Sequence, residues 1–280
     1  MKVLIIAASC MALVFGPADV ASASAKREKI PVYKDASAPV EKRVEDLLSR
    51  MTLEEKIMQM NQYTLGRNTV ENNLREMVGK VPAEAGSVIY FSDDAELRNA
   101  MQKRCMEESR LGIPMLFGHD VIHGYRTMAP VPLAQAASWN PSLVEAVSAD
   151  AAREASACGV DWTFSPMVDV ARDPRWGRVM EGYGEDVFLT SEFCRAAVRG
   201  YQGSSLSEEG TIAACLKHFV GYAASEAGRD YVYTEISGQT KSWSNSELRK
   251  KCKIQEYGGY TGTDKEFRYL RTVIVTAAVY

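Results

Sequence analysis

Residues 111–127 read LGIPMLFGHDVIHGYRT, and this stretch decides the fold. Ile113 to Phe117 is an apolar run of strand length. At Gly118 it gives way to a loop rich in Gly and His that carries His119, Asp120 and His123. The same arrangement, an apolar run followed at once by polar residues, recurs along the chain. Ser87–Phe91 is a buried strand candidate that precedes Asp93. Asp161–Val170 precedes the polar stretch Arg172–Asp186, and Thr211–Phe219 leads into Lys217–Asp230.

Helical patterns separate these runs. Val44, Leu47, Leu48 and Met51 follow helical spacing, and Thr52-Leu53-Glu54-Glu55 is a capping box opening a second helix with Ile57 and Met60 inside. Asp93 with Glu96 starts a helix expected to stop at Gly112. Asn140-Pro141 caps another that runs through Val147 and Ala155 to Gly159, and Val187–Tyr201 forms one ending near Gly203. Strand–helix alternation at this spacing predicts a parallel sheet with crossover helices. The polar motifs all follow strands, as they do in a (β/α)8 barrel, and no G-x-G-x-x-G follows the first strand to argue for a doubly wound sheet. The expected fold class is therefore α/β, an incomplete (β/α)8 TIM-type barrel with about four of its eight strands.

Composition narrows the function. The 280 residues are 46% hydrophobic and 25% charged, with a net charge of −3 and the signs well mixed. Nothing favours nucleic acid or a membrane surface as partner. Residues 1–25 differ from the rest: Met1-Lys2, an apolar run from Val3 to Phe15, then Gly16-Pro17 and the small-residue sites of Ala21–Ala25. That order predicts a secretory signal peptide, too short for a bilayer span, and hence export across an inner membrane to the periplasm. Residues 26–39 read as an extended lead-in. The five remaining cysteines, Cys105, Cys158, Cys194, Cys215 and Cys252, are odd in number and lack C-x-x-C spacing, so buried thiols are expected rather than a disulfide framework or zinc site.

Three constellations carry chemistry. A carboxylate at a strand end, Asp120, can accept from two neighbouring hydroxyls, although alone it reads better as a loop cap. Arg175, Trp176 and Arg178 set two guanidinium forks beside an indole, an arrangement suited to a polyol. The plainer reading of that segment is an Arg–Glu network in which Arg178 pairs with Glu181 or Glu185. Lys217 and His218 end the fourth run, and neighbours on a strand face opposite ways, so both reach one ligand only where the backbone twists. His119 and His123 lie four apart, the spacing of zinc ligands on a helix. Gly118 and Gly124 bracket them directly after a strand, which favours a loop. No metal or cofactor is expected.

In combination, LLSRMTLEEKIMQM, LGIPMLFGHDVIHGYRT, PVPLAQAASWNP, FSPMVDVARDPRWGRVMEGYGED and KHFVGYAASEAGRDYVYTEIS resemble the N-terminal barrel domain of the family-three glycoside hydrolases, especially bacterial β-glucosidases. The resemblance spans about Val40 to Ser237. It implies hydrolysis of terminal β-D-glucosyl residues by a retaining mechanism, in which one carboxylate attacks and a second protonates the leaving oxygen about 5 Å away. It also implies that Asp120, Arg178, Lys217 and His218 grip the terminal sugar of a β-linked oligosaccharide or glucoside. His123, Arg175 and Trp176 would support them, while Glu181, Glu185 and Asp186 would be structural.

The family's nucleophile is an aspartate in a Ser-Asp-Trp motif, and its acid/base in this branch is a glutamate in a following domain. The chain has no Ser-Asp-Trp, and no catalytic residue is assigned to it. The sister β-N-acetylhexosaminidase branch carries a histidine dyad in the loop after Lys-His-Phe, where this chain reads Val220-Gly221-Tyr222-Ala223-Ala224. The resemblance read from these motifs ends at about residue 237. Residues 238–280 hold eight Lys or Arg against four Asp or Glu, with no sustained apolar period before Tyr269. The expectation is a truncated product with an unrelated tail, and the alternative function is a non-catalytic sugar-binding or misfolded remnant. A half barrel would expose two strand edges and invite self-association.

Overall fold

The computed structural model describes residues 30–65, 78–218, 221–230 and 232. The expected signal peptide and the basic tail lie outside these residues. The chain divides into two units, one up to Ser49 and one from Arg50 onward. In the first, a 3-10 turn at Val32–Lys34 precedes helix α1 (Val40–Arg50). The Tyr33 amide donates to Asp46 Oδ2 at 3.0 Å, and Arg43 Nε returns a bond to the Tyr33 carbonyl at 3.2 Å.

The second unit opens on α2 (Leu53–Gln59), whose capping box forms as expected. Glu55 N donates to Thr52 Oγ1 at 3.2 Å, and Thr52 N donates to Glu55 Oε2 at 2.8 Å. A parallel sheet follows: β1 (Gln62–Leu65), β2 (Ser87–Tyr90), β3 (Leu116–His119), β4 (Trp162–Thr163) and β5 (Ala213–Ala214). Its order is β1-β2-β3-β4-β5, each strand beside its predecessor. A doubly wound sheet reverses order at a switch point. This sheet does not, which makes it a partial TIM-type barrel.

Five strands therefore stand among the described residues where four were expected. The additional one, β1, alternates polar and apolar at the sheet edge, so only Tyr63 and Leu65 carry a core signal. The ladders of β4 and β5 are shorter than the apolar runs that announced them. Pro166 has no amide hydrogen to donate, and beyond it pairing continues as single bonds such as Val168 N to Lys217 O at 2.7 Å.

Between strands run α3 (Ala95–Glu108), α4 (Pro132–Ala136), α5 (Pro141–Ala157) and α6 (Val187–Gln202). Helix α3 ends four residues before Gly112, with Ser109 Oγ on the Cys105 carbonyl, and its cap is Asp94 rather than Asp93. Asp94 Oδ1 accepts from Glu96 N and Leu97 N, while Asp93 turns to Arg126 at 2.5 Å. Its buried stripe, Leu97, Met101 and Cys105, packs on Val88, Tyr90 and Phe117. Fully burying a side chain such as Phe117 stabilises by about 1.5–3 kcal/mol.

Helices α5 and α6 pack on each other. Val144, Ser148, Ala151, Ala152 and Ala155 face Phe193, Ala196, Ala197 and Tyr201 at helical spacing. Small residues let the backbones approach closely: a Cβ on Gly200 would lie 2.3 Å from the Glu145 carbonyl oxygen. Cys105, Cys194 and Cys215 are buried thiols and Cys158 a half-buried one, none of them in a disulfide, and burial pushes the Cys215 thiol up to about 11. Among the described residues no helix is long and apolar enough to cross a membrane.

Candidate active site

The loops that follow β3, β4 and β5 meet at one end of the sheet. In the first, Asp120 follows the last residue of β3, and its neighbour Val121 is wholly buried. Val121 N donates to Thr163 Oγ1 at 3.0 Å, and Tyr201 Oη donates to the Val121 carbonyl at 2.5 Å. Burying Val121 turns the Asp120 side chain outward, where it is 45% exposed.

The second loop is anchored by Trp176, only 1% exposed, whose Nε1 donates to Asp230 Oδ1 at 3.0 Å. A 3-10 turn over Gly177–Glu181 follows. With three residues per turn, positions i and i+3 eclipse, so Arg178 and Glu181 stand over each other. Arg178 Nε and Nη2 reach Glu181 Oε1 and Oε2 at 2.7 and 2.8 Å, a two-pronged pair. This bond pushes the guanidinium pKa further up. Burial raises Glu181, but Arg178, Lys217 and His218 outweigh it and hold its carboxyl below the ordinary 4.5.

In the third loop, the Lys217–His218 peptide is cis and both side chains enter the cluster. Lys217 Nζ donates to Asp120 Oδ1 at 3.0 Å and lies 3.7 Å from Glu181 Oε2, with 12% of the side chain exposed. His218 Nε2 lies 3.3 Å from Arg178 Nη1, and its Nδ1 lies 2.8 Å from Asp169 Oδ2.

Asp120, Arg178, Lys217 and His218 are thus brought together from residues far apart in sequence. The other candidates lie around them or elsewhere. Trp176 packs edge-on against Tyr222, ring centroids 5.4 Å apart, and Tyr222 in turn meets His218 at 4.6 Å. Arg175 closes on Asp173 through a two-pronged pair and stands in solvent. The Asp173 carboxyl is held down to about 2, chiefly by that side-chain bond. His123 Nδ1 meets the Ala129 carbonyl at 2.8 Å and closes its own loop, while His119 Nδ1 faces the Tyr90 carbonyl at 3.1 Å. The two histidines belong to a strand end and a loop, not to one helix. Asp186 caps α6 through Leu189 N at 2.7 Å.

Two participants escaped the sequence reading. Asp169 is buried inside the apolar run Met167–Val170, and a carboxylate there is the signal that was available. Tyr222 is placed by the fold: Arg178 lies over its ring at 5.4 Å. Burial, with Asp230 alongside, pushes its hydroxyl up to about 12.

Donors from Arg178 and Lys217 beside the acceptor Asp120, at the mouth of the sheet, are the complement of adjacent hydroxyls on a ring. Residues 52–246 match the glycosyl hydrolase family 3 N-terminal domain. A periplasmic β-glucosidase of Salmonella typhimurium is 39% identical over 196 residues, covering 70% of this chain and 25% of its own length. A putative β-xylosidase of Formosa agariphila is 34% identical over 229 residues, covering 74% and 30%. Among solved structures, a mutant β-glucosidase from Listeria innocua in complex with laminaribiose is similar with a TM-score of 0.63 and 43% identity, over 71% of this chain and 29% of that one. The chain thus spans about a quarter to a third of the length of these relatives. With the match running through all three site loops, the chain belongs to glycosyl hydrolase family 3, by way of that family's N-terminal domain.

Proposed function

We propose that the chain furnishes the innermost sugar subsite of a β-glucosidase-type retaining hydrolase, gripping the terminal β-D-glucosyl residue through Asp120, Arg178, Lys217 and His218. The observation that carries this reading is a linked cluster, in which Lys217 bridges the exposed Asp120 and the half-buried Glu181 while Arg178 stands on Glu181. Asp120 accepts from ring hydroxyls, and Lys217 and Arg178 donate to them. Such contacts assist catalysis where they tighten as the ring flattens toward an oxocarbenium ion. Support for glucosides comes from the relatives' names, β-glucosidases prominent among them. The β-xylosidases make xylosides the competing substrate class.

The Ser-Asp-Trp aspartate that the family resemblance implies as nucleophile is not in the sequence, and each carboxylate of the cluster is already engaged. Asp120 is paired with Lys217, Glu181 with Arg178, and Asp169 with His218. We therefore assign this chain binding rather than bond cleavage. Calorimetric titration with glucose, xylose and an aryl β-glucoside, alongside a chromogenic turnover assay, tests this. Saturable binding without turnover is expected, with glucose preferred. Turnover in a pure preparation would overturn the assignment of the chemistry, and absence of any sugar binding would overturn the subsite.

The N-terminal pattern and a periplasmic relative support export to the periplasm. Expressed in a Gram-negative host, the chain is expected in the periplasmic fraction with its N-terminus within or just after Ala21–Ala25. Recovery from the cytoplasm with Met1 intact would contradict it.

A further inference from the structure

We propose that Asp169 is a positioning residue that fixes His218 as its Nδ1–H tautomer, so that Nε2 meets the sugar as a hydrogen-bond acceptor. The inference deepens the subsite reading above and rests on it for its functional part. Two geometric constraints point the same way. The first is Asp169 Oδ2, which lies 2.8 Å from His218 Nδ1 and also accepts the His218 backbone amide at 2.9 Å. An ionised carboxylate only accepts, so Nδ1 carries the hydrogen. The second is Arg178 Nη1, 3.3 Å from Nε2. A guanidinium only donates, so Nε2 offers its lone pair. Neither partner is free to trade roles, and together they select one of the two neutral forms of the ring.

The surroundings hold this arrangement in place. Asp169 is buried, and the Tyr222 ring lies edge-on to the imidazole. The charged groups facing His218 are Asp169, Arg178, Glu181 and Lys217. A hydroxyl that takes the place of Arg178 at Nε2 must then donate to its one lone pair, and the oxygen of that hydroxyl is left to accept from the released Arg178 Nη1 or from Lys217. His218 thus complements the two cations: they read the oxygen of a hydroxyl, and it reads the hydrogen. Asp169 sets that polarity without touching the sugar.

The test is a long-range 1H–15N spectrum of the imidazoles in the full chain at neutral pH. The three rings are told apart with His119→Gln and His123→Gln variants. The expected result is a protonated Nδ1 and an unprotonated Nε2 for His218. A proton on Nε2 in the wild-type chain would overturn the proposal, and this measurement needs no Asp169 variant to fold. In Asp169→Ala the fixed tautomer is expected to be lost, and glucose affinity to fall about tenfold, the scale of one charge-assisted hydrogen bond. Asp169→Asn keeps an acceptor oxygen and is expected to retain the Nδ1–H form and most of the affinity. Loss of the tautomer in Asp169→Asn but not in Asp169→Ala would contradict the role. An Nδ1–H ring that does not respond to glucose would leave the tautomer assignment standing and sink the sugar-binding reading instead.

Discussion

Arg178 serves two partners with one guanidinium: its Nε and Nη2 hold Glu181, and its Nη1 faces His218. Lysine cannot reproduce that fork, so Arg178→Lys is expected to weaken glucose binding by tenfold or more, about 1.4 kcal/mol, in a calorimetric titration. Glu181 supplies a pH signature. Its folded pKa lies below the ordinary 4.5, so the stability it contributes is present above that value and is lost as pH falls through the folded pKa. Urea midpoints should drop more steeply below pH 4.5 in the wild type than in Glu181→Gln. Asp120, Arg178, Lys217 and His218 lie in polar motifs that follow apolar runs, but it was the family resemblance, not the pattern, that joined them into one set, whose side chains the fold brings together. Asp169 was not legible, because a single acid in Met-Val-Asp-Val shifts neither period nor composition. Arg175 had the right chemistry for a polyol but a closer partner in Asp173, and sequence does not rank partners.

Helices were legible wherever capping chemistry was explicit. Thr52-x-x-Glu55 and Asn140-Pro141 both stand where expected, with Asn140 Oδ1 accepting from Leu143 N at 3.3 Å. Replacing Asn140 with Ala should cost about 1 kcal/mol in a urea melt, with the fold retained. Strands were harder. β1 shows the core only alternate residues, and β4 and β5 form two-residue ladders inside longer apolar runs. The adjacent acids Asp93 and Asp94 offered two possible caps, and geometry alone chose Asp94. Helix α6 also supports the site, since the Tyr201 hydroxyl holds the carbonyl beside Asp120. Tyr201→Phe should lower stability by about 1–3 kcal/mol and weaken sugar binding, measured by melt and titration on the same sample.

At the scale of the molecule, the strand order β1 to β5 was foreseen as barrel-like, and family and fold agree with it. The count fell one short for the reason that hides any edge strand. Among the described residues the outer sides of β1 and β5 carry no further strand. We propose that copies of the chain pair through these edges, and light scattering across a dilution series should show a mass that rises with concentration. A constant monomer mass would argue against it. The sequential order also bears on how the fold is made. Each strand finds its partner in the stretch synthesised just before it, so no ladder waits for a distant part of the chain. Such a sheet can grow in the order of translation, each β/α unit docking on the one already in place as it leaves the ribosome.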